Sequence, residues 1–302
     1  EYQILAQCQV SPYFPRLGFY GKTNDFSFYS MECLGPSLTS ILNHFGKKQF
    51  NLSTAFRSVY HILKCIESFH SLGFVHRDIK PGNILTREGN EHPLCLIDFG
   101  LSRVYVNPET GQHLQQRKRV GFRGTRAYAS INAHESQDLS RRDDLFSWFY
   151  LAYEFLVGIL PWRNLSDKNQ ILHSKKHFNV RSAVESKAPQ LYDIYLHIQE
   201  LHFFDAPNYN YIYHKLMEMA KEQNISFNEP FEWTAYLHEC RQDIASKLRD
   251  IEATSSLPII EDSPFDSLST IDEPLISPNI TVPAPFSHTS DSHDCCCCCD
   301  IC

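Results

Sequence analysis

The chain has 302 residues, of which 42% are hydrophobic and 13% aromatic, which is enough for one large or two smaller domains with a sizeable core. Its net charge of -7 gives no global sign of a nucleic-acid binder, so any basic function must be local. No apolar run approaches the ~20 residues of a membrane span and the first residues have no signal-peptide pattern. We therefore expect a soluble protein that binds neither nucleic acid nor membranes, in the cytoplasm with the nucleus as an additional location.

The eleven cysteines are unevenly distributed along the chain. Six of them crowd the last eight residues, unlike the spread of cysteines in a disulfide-stapled secreted domain. No CxxC motif has a matching partner pair, which argues against a zinc site. The other five lie singly in apolar surroundings, and we interpret them as small buried hydrophobic residues: Cys8, Cys33, Cys65, Cys95 and Cys240.

Two elements are predicted in the first quarter of the chain. Residues 26–34, FSFYSMECL, are compact and apolar and predict a strand that leads into a short connector. From Ser53 onward apolar residues recur at helical spacing, with Ser53 as a candidate N-cap and Gly73 as the stop signal. This pattern predicts a long amphipathic helix that delivers the chain to a polar segment.

That segment, residues 73–85 with the sequence GFVHRDIKPGNIL, is named here the polar loop. A loop that only reversed the chain would need Pro-Gly or Asn-Gly. It would have no use for Asp78, Lys80 and Asn83 at fixed offsets. The polar loop therefore predicts a site at which these three side chains act together.

A short hairpin is predicted after the polar loop. Two apolar runs, residues 83–85 and 94–98, are separated by turn-prone residues. The second run ends on the triplet Asp98-Phe99-Gly100. The hairpin is therefore expected to return Asp98 toward Asp78.

The remaining chain is predicted to be mainly helical and then to lose its order. Residues 143–162 are apolar nearly all round, which predicts a buried helix. Residues 191–249 have helical periodicity with alternating charge. From about Thr254 the sequence is acidic, rich in Ser and Pro and without Lys or Arg, which predicts a disordered tail.

The polar loop and the triplet together resemble the signature of protein kinases. Phosphoryl transfer requires a nucleophile held in line and a triphosphate whose charge is neutralised by metal ions. Hard oxygen donors such as carboxylates and amides suit Mg²⁺. The resemblance implies that Asp78 orients the substrate hydroxyl or accepts its proton. It also implies that Asn83 and Asp98 hold Mg²⁺, while Lys80 offsets charge on the transferring phosphoryl group.

A rival family, the aminoglycoside-type phosphotransferases, has a similar loop. Members of that family usually have no Arg before the loop aspartate and no Phe in the metal-binding triplet. Arg77 and Phe99 therefore favour a protein kinase. By the same resemblance, Lys80 favours serine or threonine over tyrosine as the acceptor.

Three further stretches resemble the casein kinase 1 superfamily: MECLGPSL at 31–38, GTRAYASINAH at 124–134, which replaces the Ala-Pro-Glu of most kinases, and RRDDLFSWFYLAYEFLVGILPWR at 141–163. Within that superfamily, SINAH and LPWRN are most similar to the tau-tubulin kinase branch. The resemblance covers roughly residues 1–240. It implies that Met31 guards the adenine pocket of ATP, with the backbone of Glu32, Cys33 and Leu34 facing the adenine.

The sequence departs from this family in two places. Arg126 and Ala127 appear in exchanged order before Tyr128. No G-x-G-x-x-G occurs, the first lysine is Lys22, and Glu1 falls where the glutamate that pairs with the strand lysine is expected. The resemblance implies that the chain begins in mid-domain, so we expect these 302 residues alone to transfer phosphate poorly.

A basic cluster follows the triplet, in the segment that the resemblance assigns to the substrate. A run of charges is usually a solvated face, but its position between the triplet and Tyr128 supports equally well a site for anions on acidic or already phosphorylated protein substrates. The tail supplies an opposite charge, and we expect phosphorylation near Ser269 and competition of the tail with substrate. The residues predicted for the anion site are Arg117, Lys118, Arg119, Arg123, Arg126 and Arg141.

These observations predict an α+β, protein-kinase-like fold that consists mainly of the helical C-terminal lobe. Residues 1–34 are expected to be the remnant of the small lobe and the hinge, residues 35–250 the C-terminal lobe, and residues 251–302 the disordered tail. The predicted activity is that of a monomeric serine/threonine protein kinase that uses ATP and Mg²⁺. The alternative is a catalytically inactive module that binds acidic or phosphorylated partners.

Overall fold

The computed structural model describes residues 1–88, 91–118 and 120–254. Three antiparallel strand pairs lie within them: β1 (Leu17–Lys22) with β2 (Ser27–Met31), β3 (Phe74–Val75) with β6 (Arg103–Val104), and β4 (Ile84–Thr86) with β5 (Leu94–Leu96). The α-helices of the described residues are α1 (Tyr2–Gln7), α2 (Leu38–His44), α3 (Leu52–Ser71), α4 (Ile131–His134), α5 (Arg141–Leu156), α6 (Lys168–Lys176), α7 (Val180–Val184), α8 (Gln190–Glu200), α9 (Tyr209–Glu222) and α10 (Thr234–Thr254).

The predicted amphipathic helix is α3, and it starts slightly earlier than expected. Its N-cap is Asn51, whose side chain accepts a hydrogen bond from Thr54 N at 2.8 Å, rather than Ser53. Asparagine is among the strongest N-cap residues because its side-chain oxygen satisfies a free amide of the first turn. The helix ends just before Gly73, which has a φ of 86° and therefore a left-handed conformation that glycine adopts without strain.

The predicted buried helix is α5, which ends earlier than expected. It stops at Leu156 instead of continuing to Trp162, because Gly158 interrupts the helical backbone with a φ of 157°. Trp162 is still buried, but it lies on the connection after the helix. Helix α5 packs along α3, and Trp148 Nε1 donates to Val59 O at 3.0 Å. These two helices form the core on which the polar loop rests.

The strand predicted in residues 26–34 is confirmed as β2, while its partner β1 was not predicted. The sequence of β1, LGFYGK, contains two glycines, which weaken the pattern of a strand. The Phe28 ring lies across Gly21, where a Cβ would collide with it. A side chain at Gly21 would therefore force the exposed Phe28 ring to move.

The hairpin predicted after the polar loop is confirmed as β4 and β5, with Leu85 opposite Cys95. The helical periodicity predicted for residues 191–249 is confirmed as α8, α9 and α10, separated by two short connections. The abundance of helix over short strands agrees with the predicted α+β class. No helix among the described residues is long and apolar enough to cross a membrane.

The single cysteines are less uniformly buried than predicted. Cys8, Cys65 and Cys95 are buried, as expected, but Cys33 is exposed and Cys240 is half-buried. All five have free thiols. The prediction of burial is therefore wrong for Cys33, because it lies on the exposed connection after β2, and only partly right for Cys240.

The chain divides into two compact units, residues 1–241 and residues 242–302. The first unit contains the polar loop and the predicted site. Of the second unit the structure describes residues 242–254, which are the C-terminal part of α10. The tail predicted from about Thr254, including Ser269, lies outside the described residues.

Candidate active site

The polar loop is anchored to the helical core by one buried carboxylate. Asp144, in the first turn of α5, is fully buried and accepts hydrogen bonds from His76 N and Arg77 N, both at 2.7 Å, and from His70 Nε2 at 2.9 Å. Burial alone would raise the pKa of Asp144, but the bond from His70 and the neighbouring donors outweigh it and lower that pKa. Asp144 is therefore an ionised anchor that fixes the start of the polar loop.

The protonation states of His70 and Tyr209 fit the hydrogen bonds that surround Asp144. Burial lowers the pKa of His70 and raises the pKa of Tyr209, so both groups are neutral. His70 Nδ1 can then accept from the Tyr209 hydroxyl, with which it is in hydrogen-bond contact, while its Nε2 donates to Asp144. The second hydrogen bond fixes the imidazole tautomer.

The anchored loop holds the three side chains that the sequence predicted would act together. Asp78 is 7% exposed, and its Oδ2 accepts from Lys80 Nζ at 2.7 Å and from Asn83 Nδ2 at 3.4 Å. Asn83 Nδ2 also donates to Asp78 O at 3.0 Å. The other carboxylate oxygen, Asp78 Oδ1, is buried without a hydrogen-bond partner among the described residues. A buried acceptor of this kind is costly unless a ligand satisfies it.

Asp98 is brought next to Asn83 by the hairpin. Ile97 N donates to Asn83 O at 3.1 Å, and His76 Nε2 is bonded to Ile97 O at 2.9 Å. Asp98 follows in a left-handed conformation with a φ of 65°, and its exposed carboxylate accepts from Gly100 N at 3.4 Å. This strained backbone conformation is unusual outside glycine. Asp98 holds this conformation just after the end of β5, which pairs with β4 beside the polar loop.

The oxygen donors at this point fit a Mg²⁺ ion. Asn83 uses its Nδ2 in hydrogen bonds to Asp78, so its Oδ1 is the atom left for a metal ion. Asp98 is exposed and directly follows Ile97, whose N–H donates to Asn83 O. Mg²⁺ prefers a small number of such oxygen ligands and keeps several waters. The oxygen atoms of Asn83 and Asp98 are therefore of a type that suits Mg²⁺, and the assignment of these two residues as its ligands stays a prediction.

Phe99 of the triplet is packed into the core and contacts the start of the chain. Its ring is 3% exposed and stacks on Phe69 at a centroid distance of 5.3 Å, with His76 at 6.0 Å. Phe99 N donates to Glu1 Oε1 at 3.2 Å. The structure thus brings Glu1 to the backbone of the triplet, next to Asp98.

The predicted hinge residues follow β2, and one of their side chains has a structural role. Met31 ends β2 opposite Leu17. The Glu32 carboxylate binds Arg87 at 2.8 and 2.7 Å. Burial alone would raise the pKa of Glu32, but the hydrogen bonds from Arg87 and Arg16 lower it. Cys33 is exposed and Leu34 is half-buried, and the contact of their backbone with adenine stays a prediction.

Gly124 packs against the polar loop from the far end of the predicted substrate segment. It has a φ of 94°, and a Cβ at this position would lie 2.7 Å from Arg77 O and 3.6 Å from Asp78 Oδ1. Both the backbone conformation and the close approach therefore require glycine.

Gly124→Ala is expected to lower the free energy of unfolding by about 1–3 kcal/mol, because it combines a left-handed backbone with a backbone collision. Urea denaturation of the two proteins measures this change. The matched control is Gly111→Ala, which has a φ of 68° but nothing within 4 Å of the added methyl group. Equal losses of unfolding free energy in both variants would show that the close contact of Gly124 with the polar loop contributes nothing to stability.

The predicted anion site is only partly available for a ligand. Arg117 is bound to the buried Asp138 through its Nη2 at 2.8 Å, and Arg103 Nη1 binds the same carboxylate at 2.7 Å. Burial alone would raise the pKa of Asp138, but the hydrogen bonds from Arg117 and Arg103 hold it well below its usual range. The guanidinium of Arg117 is therefore already paired with a carboxylate of the protein and is less available to bind a substrate anion.

The other predicted anion-site residues have different surroundings. Arg126 is exposed and donates to Ser166 O at 2.8 Å. Lys118 and Arg123 are exposed and form no ion pair with any residue that the structure describes. Arg141 instead stacks on the Tyr105 ring at 4.6 Å and donates to Phe204 O at 3.1 Å. Arg119 lies outside the described residues.

Several arginines lie close enough to Arg77 to affect its pKa. Its guanidinium donates to Leu101 O at 2.6 Å. Burial and the neighbouring charges of Arg123, Arg117 and Arg103 lower the pKa of Arg77 to about 10. These groups therefore produce a positive field beside the polar loop, although Asp138 offsets part of it.

Two structurally important carboxylates were not predicted as site residues. Asp144 anchors the polar loop and Asp138 orders the segment after the triplet. For Asp144 the available signal was a pair of aspartates at the start of an otherwise apolar helix, since a charged residue in a buried helix needs partners. For Asp138 the sequence contained no such signal, because its two arginine partners are distant in the chain.

Comparisons with known proteins agree with this geometry. A family model described as the protein kinase domain matches residues 1–233. A probable serine/threonine-protein kinase of Dictyostelium discoideum is 37% identical over 235 residues, which cover 77% of this chain and 47% of the relative. The chain thus spans about half the length of the curated relative that it matches. On the strength of this match and of the α+β architecture around the polar loop and the triplet, the chain belongs to the protein kinase domain family.

Proposed function

We propose that this protein transfers the γ-phosphate of ATP to serine or threonine hydroxyls of protein substrates. The observation that carries the proposal is the state of the Asp78 carboxylate. Its Oδ2 is held by Lys80 and Asn83, while its Oδ1 is buried, unpartnered and next to Gly124. An incoming hydroxyl is the group that this free acceptor fits best.

Each side chain of the site has a distinct part in the proposed reaction. Asp78 Oδ1 accepts the hydrogen bond of the substrate hydroxyl, orients its oxygen and takes its proton as the new O–P bond forms; the bond between the γ-phosphorus and the β–γ bridging oxygen breaks, and ADP leaves. Lys80, held at 2.7 Å from Asp78 Oδ2, offsets negative charge on the group being transferred. Asn83 and Asp98 hold Mg²⁺, which neutralises phosphate charge when it is bound. Use of ATP and Mg²⁺ is general in this family.

Features of the sequence support a narrower assignment to the casein kinase 1 superfamily, and within it to the tau-tubulin kinase branch. The stretch that replaces Ala-Pro-Glu is attached to α5 through Asp143, which accepts from Ser130 Oγ at 2.6 Å and from Asn132 Nδ2 at 2.9 Å. The exchanged order of Arg126 and Ala127 leaves the adjacent Tyr128 buried. The stretch that stands in place of Ala-Pro-Glu therefore has its own hydrogen bonds to α5.

The exposed cations support a preference for acidic or already phosphorylated substrates. Arg123 and Lys118 are exposed, and Arg123 contributes to the positive field at Arg77. An acidic side chain near the acceptor serine would gain a charge-assisted contact there. The alternative, an inactive module that binds acidic partners, uses the same cations without needing the unpartnered oxygen of Asp78.

Arg123→Ala is expected to raise the KM for an acidic serine peptide about two- to fivefold and to leave the KM of a neutral peptide unchanged, since an exposed charge pair contributes about 0.2–1 kcal/mol. The test measures phosphate transfer from Mg-ATP by the full-length protein, at low salt. Lys48→Ala is the matched control, because Lys48 is also exposed and lies in the connection between α2 and α3.

Three outcomes separate the functions. Transfer with a higher KM only for the acidic peptide supports the kinase and its preference. A KM for the acidic peptide that is the same in Arg123→Ala as in wild type contradicts the preference. Peptide binding without any transfer to serine or threonine favours the inactive binding module.

A further inference from the structure

The segment after Gly124 forms a tight turn next to the polar loop. Residues 125–129, named here the 125–129 turn, are closed by a hydrogen bond from Ala129 N to Thr125 O at 2.8 Å. The preceding Gly124 lies beside Asp78. Any movement of this turn therefore changes the surface that a peptide meets as it approaches Asp78.

Two carbonyl groups of this turn are bound by a buried lysine. Lys175, near the end of α6, is 3% exposed, and its Nζ donates to Arg126 O at 2.9 Å and also to Ala129 O. It forms no ion pair with a carboxylate among the residues that the structure describes. The Arg126 side chain meanwhile remains exposed. The lysine therefore binds the backbone of the turn from its buried side, while the Arg126 side chain is exposed.

The surroundings of Lys175 are aromatic and apolar. Its Nζ lies 4.6 Å from the ring centre of Tyr150 and 5.2 Å from that of Trp162. Burial lowers the pKa of Lys175 to about 6. Lysine is almost never fully buried without a charged partner, and an apolar side chain would fill this space at lower cost. What lysine adds over an apolar residue is its N–H donors, which here are directed at the turn.

Neighbouring donors complete the attachment of the turn. Trp162 Nε1 donates to Ala127 O at 2.7 Å, and His134 Nε2 is bonded to Arg126 O at 3.1 Å. Burial lowers the pKa of His134 to about 4, so its ring is neutral. Lys175 is the group that spans the turn, because it joins Arg126 near its start to Ala129 at its end.

We propose that Lys175 is a positioning residue for substrate binding, which fixes the 125–129 turn so that Arg126 and the adjoining backbone face a peptide bound at Asp78. This inference rests on the proposed kinase function. Lys175 itself touches neither ATP nor peptide. Its loss should therefore affect peptide recognition and leave nucleotide recognition at the hinge intact.

The test compares steady-state kinetics of the full-length protein with Lys175→Met, which keeps the length of the side chain but has no N–H donor. We expect the KM for an acidic serine peptide to rise about fivefold or more, and the KM for ATP to stay within about twofold of wild type. Lys176→Met is the matched control. Lys176 is the next residue, half-exposed and paired with Glu135 at 2.5 Å, and its loss should change neither constant.

A second measurement does not depend on turnover. Hydrogen exchange of amides in the 125–129 turn should be faster in Lys175→Met, while exchange in α3 stays unchanged. Lys175→Gln keeps an amide donor with a shorter reach, so it should restore part of the peptide affinity and of the protection. If Lys175→Met does not fold, the peptide KM and the hydrogen exchange of Lys175→Gln test the proposal instead.

Two results would overturn the inference. One is an unchanged peptide KM in Lys175→Met together with unchanged exchange in the turn. The other is a parallel loss of ATP and peptide affinity with global unfolding in both Lys175 variants, which would make the lysine a general support of the fold. Absence of transfer in the wild-type protein would instead contradict the proposed function, and the two failures are thus distinguishable.

Discussion

Asp78→Asn is expected to lower the kcat of the full-length protein by about 10²- to 10⁴-fold, which is the usual contribution of a positioned general base. The substitution keeps the size of the side chain and removes the carboxylate that Lys80 binds and whose Oδ1 is unpartnered. Nucleotide affinity should stay within about twofold, because the role proposed for Asp78 is to act on the hydroxyl and not on the nucleotide. Transfer kinetics and nucleotide titration measure the two effects.

Asp98→Asn is the contrasting variant. Asp98 offers an exposed carboxylate next to Asn83, so its loss should reduce nucleotide affinity specifically in the presence of Mg²⁺. The two variants thus separate the acceptor of the proton from the ligand of the metal ion. Near wild-type turnover in Asp78→Asn would contradict the role assigned to that carboxylate.

The second large effect is expected for Asp144→Asn, which should lower the free energy of unfolding by about 3–5 kcal/mol, as breaking a buried charged contact does. The amide has one acceptor oxygen for the two backbone donors His76 N and Arg77 N, and its own N–H₂ group would face one of them. Arg77 holds a left-handed φ of 71°, which this carboxylate helps to maintain. Urea denaturation measures the loss.

Asp143→Asn provides a closely matched control, since both aspartates are buried in the first turn of α5. Burial raises the pKa of Asp143, whereas hydrogen bonds lower that of Asp144. A neutral amide should therefore be tolerated better at position 143, with a loss of about 1–2 kcal/mol. Equal losses in the two variants would contradict the opposite electrostatic surroundings that the structure gives these neighbours.

The pH dependence of stability tests the same assignment. A carboxyl group whose pKa is lowered by folding contributes stability at neutral pH, and this contribution is lost as the pH falls through the folded pKa. The stability difference between wild type and Asp144→Asn should therefore be constant from pH 7 to about pH 5. It should shrink below the ordinary carboxyl pKa of about 4. A difference that grows on acidification would show that Asp144 is protonated in the folded protein.

The sequence by itself determined the elements that depend on local pattern. The apolar spacing of α3, the continuous apolar character of α5 and the turn-separated runs of β4 and β5 are all local signals. The roles of Asp78, Asn83 and Asp98 came from the resemblance of the polar loop and the triplet to the protein-kinase signature, and they stay predictions.

Only the tertiary structure decided which charges are available for a ligand. Arg117 and Arg141 look like free cations in the sequence, but one binds Asp138 and the other stacks on Tyr105. Lys175 resembles an ordinary surface lysine next to Lys176, yet it is buried. The physical reason is that burial and pairing depend on partners far apart in the chain, and neither periodicity nor composition contains that information. The same holds for Asp144, whose partners His76 and Arg77 become neighbours only when α5 packs beneath the polar loop.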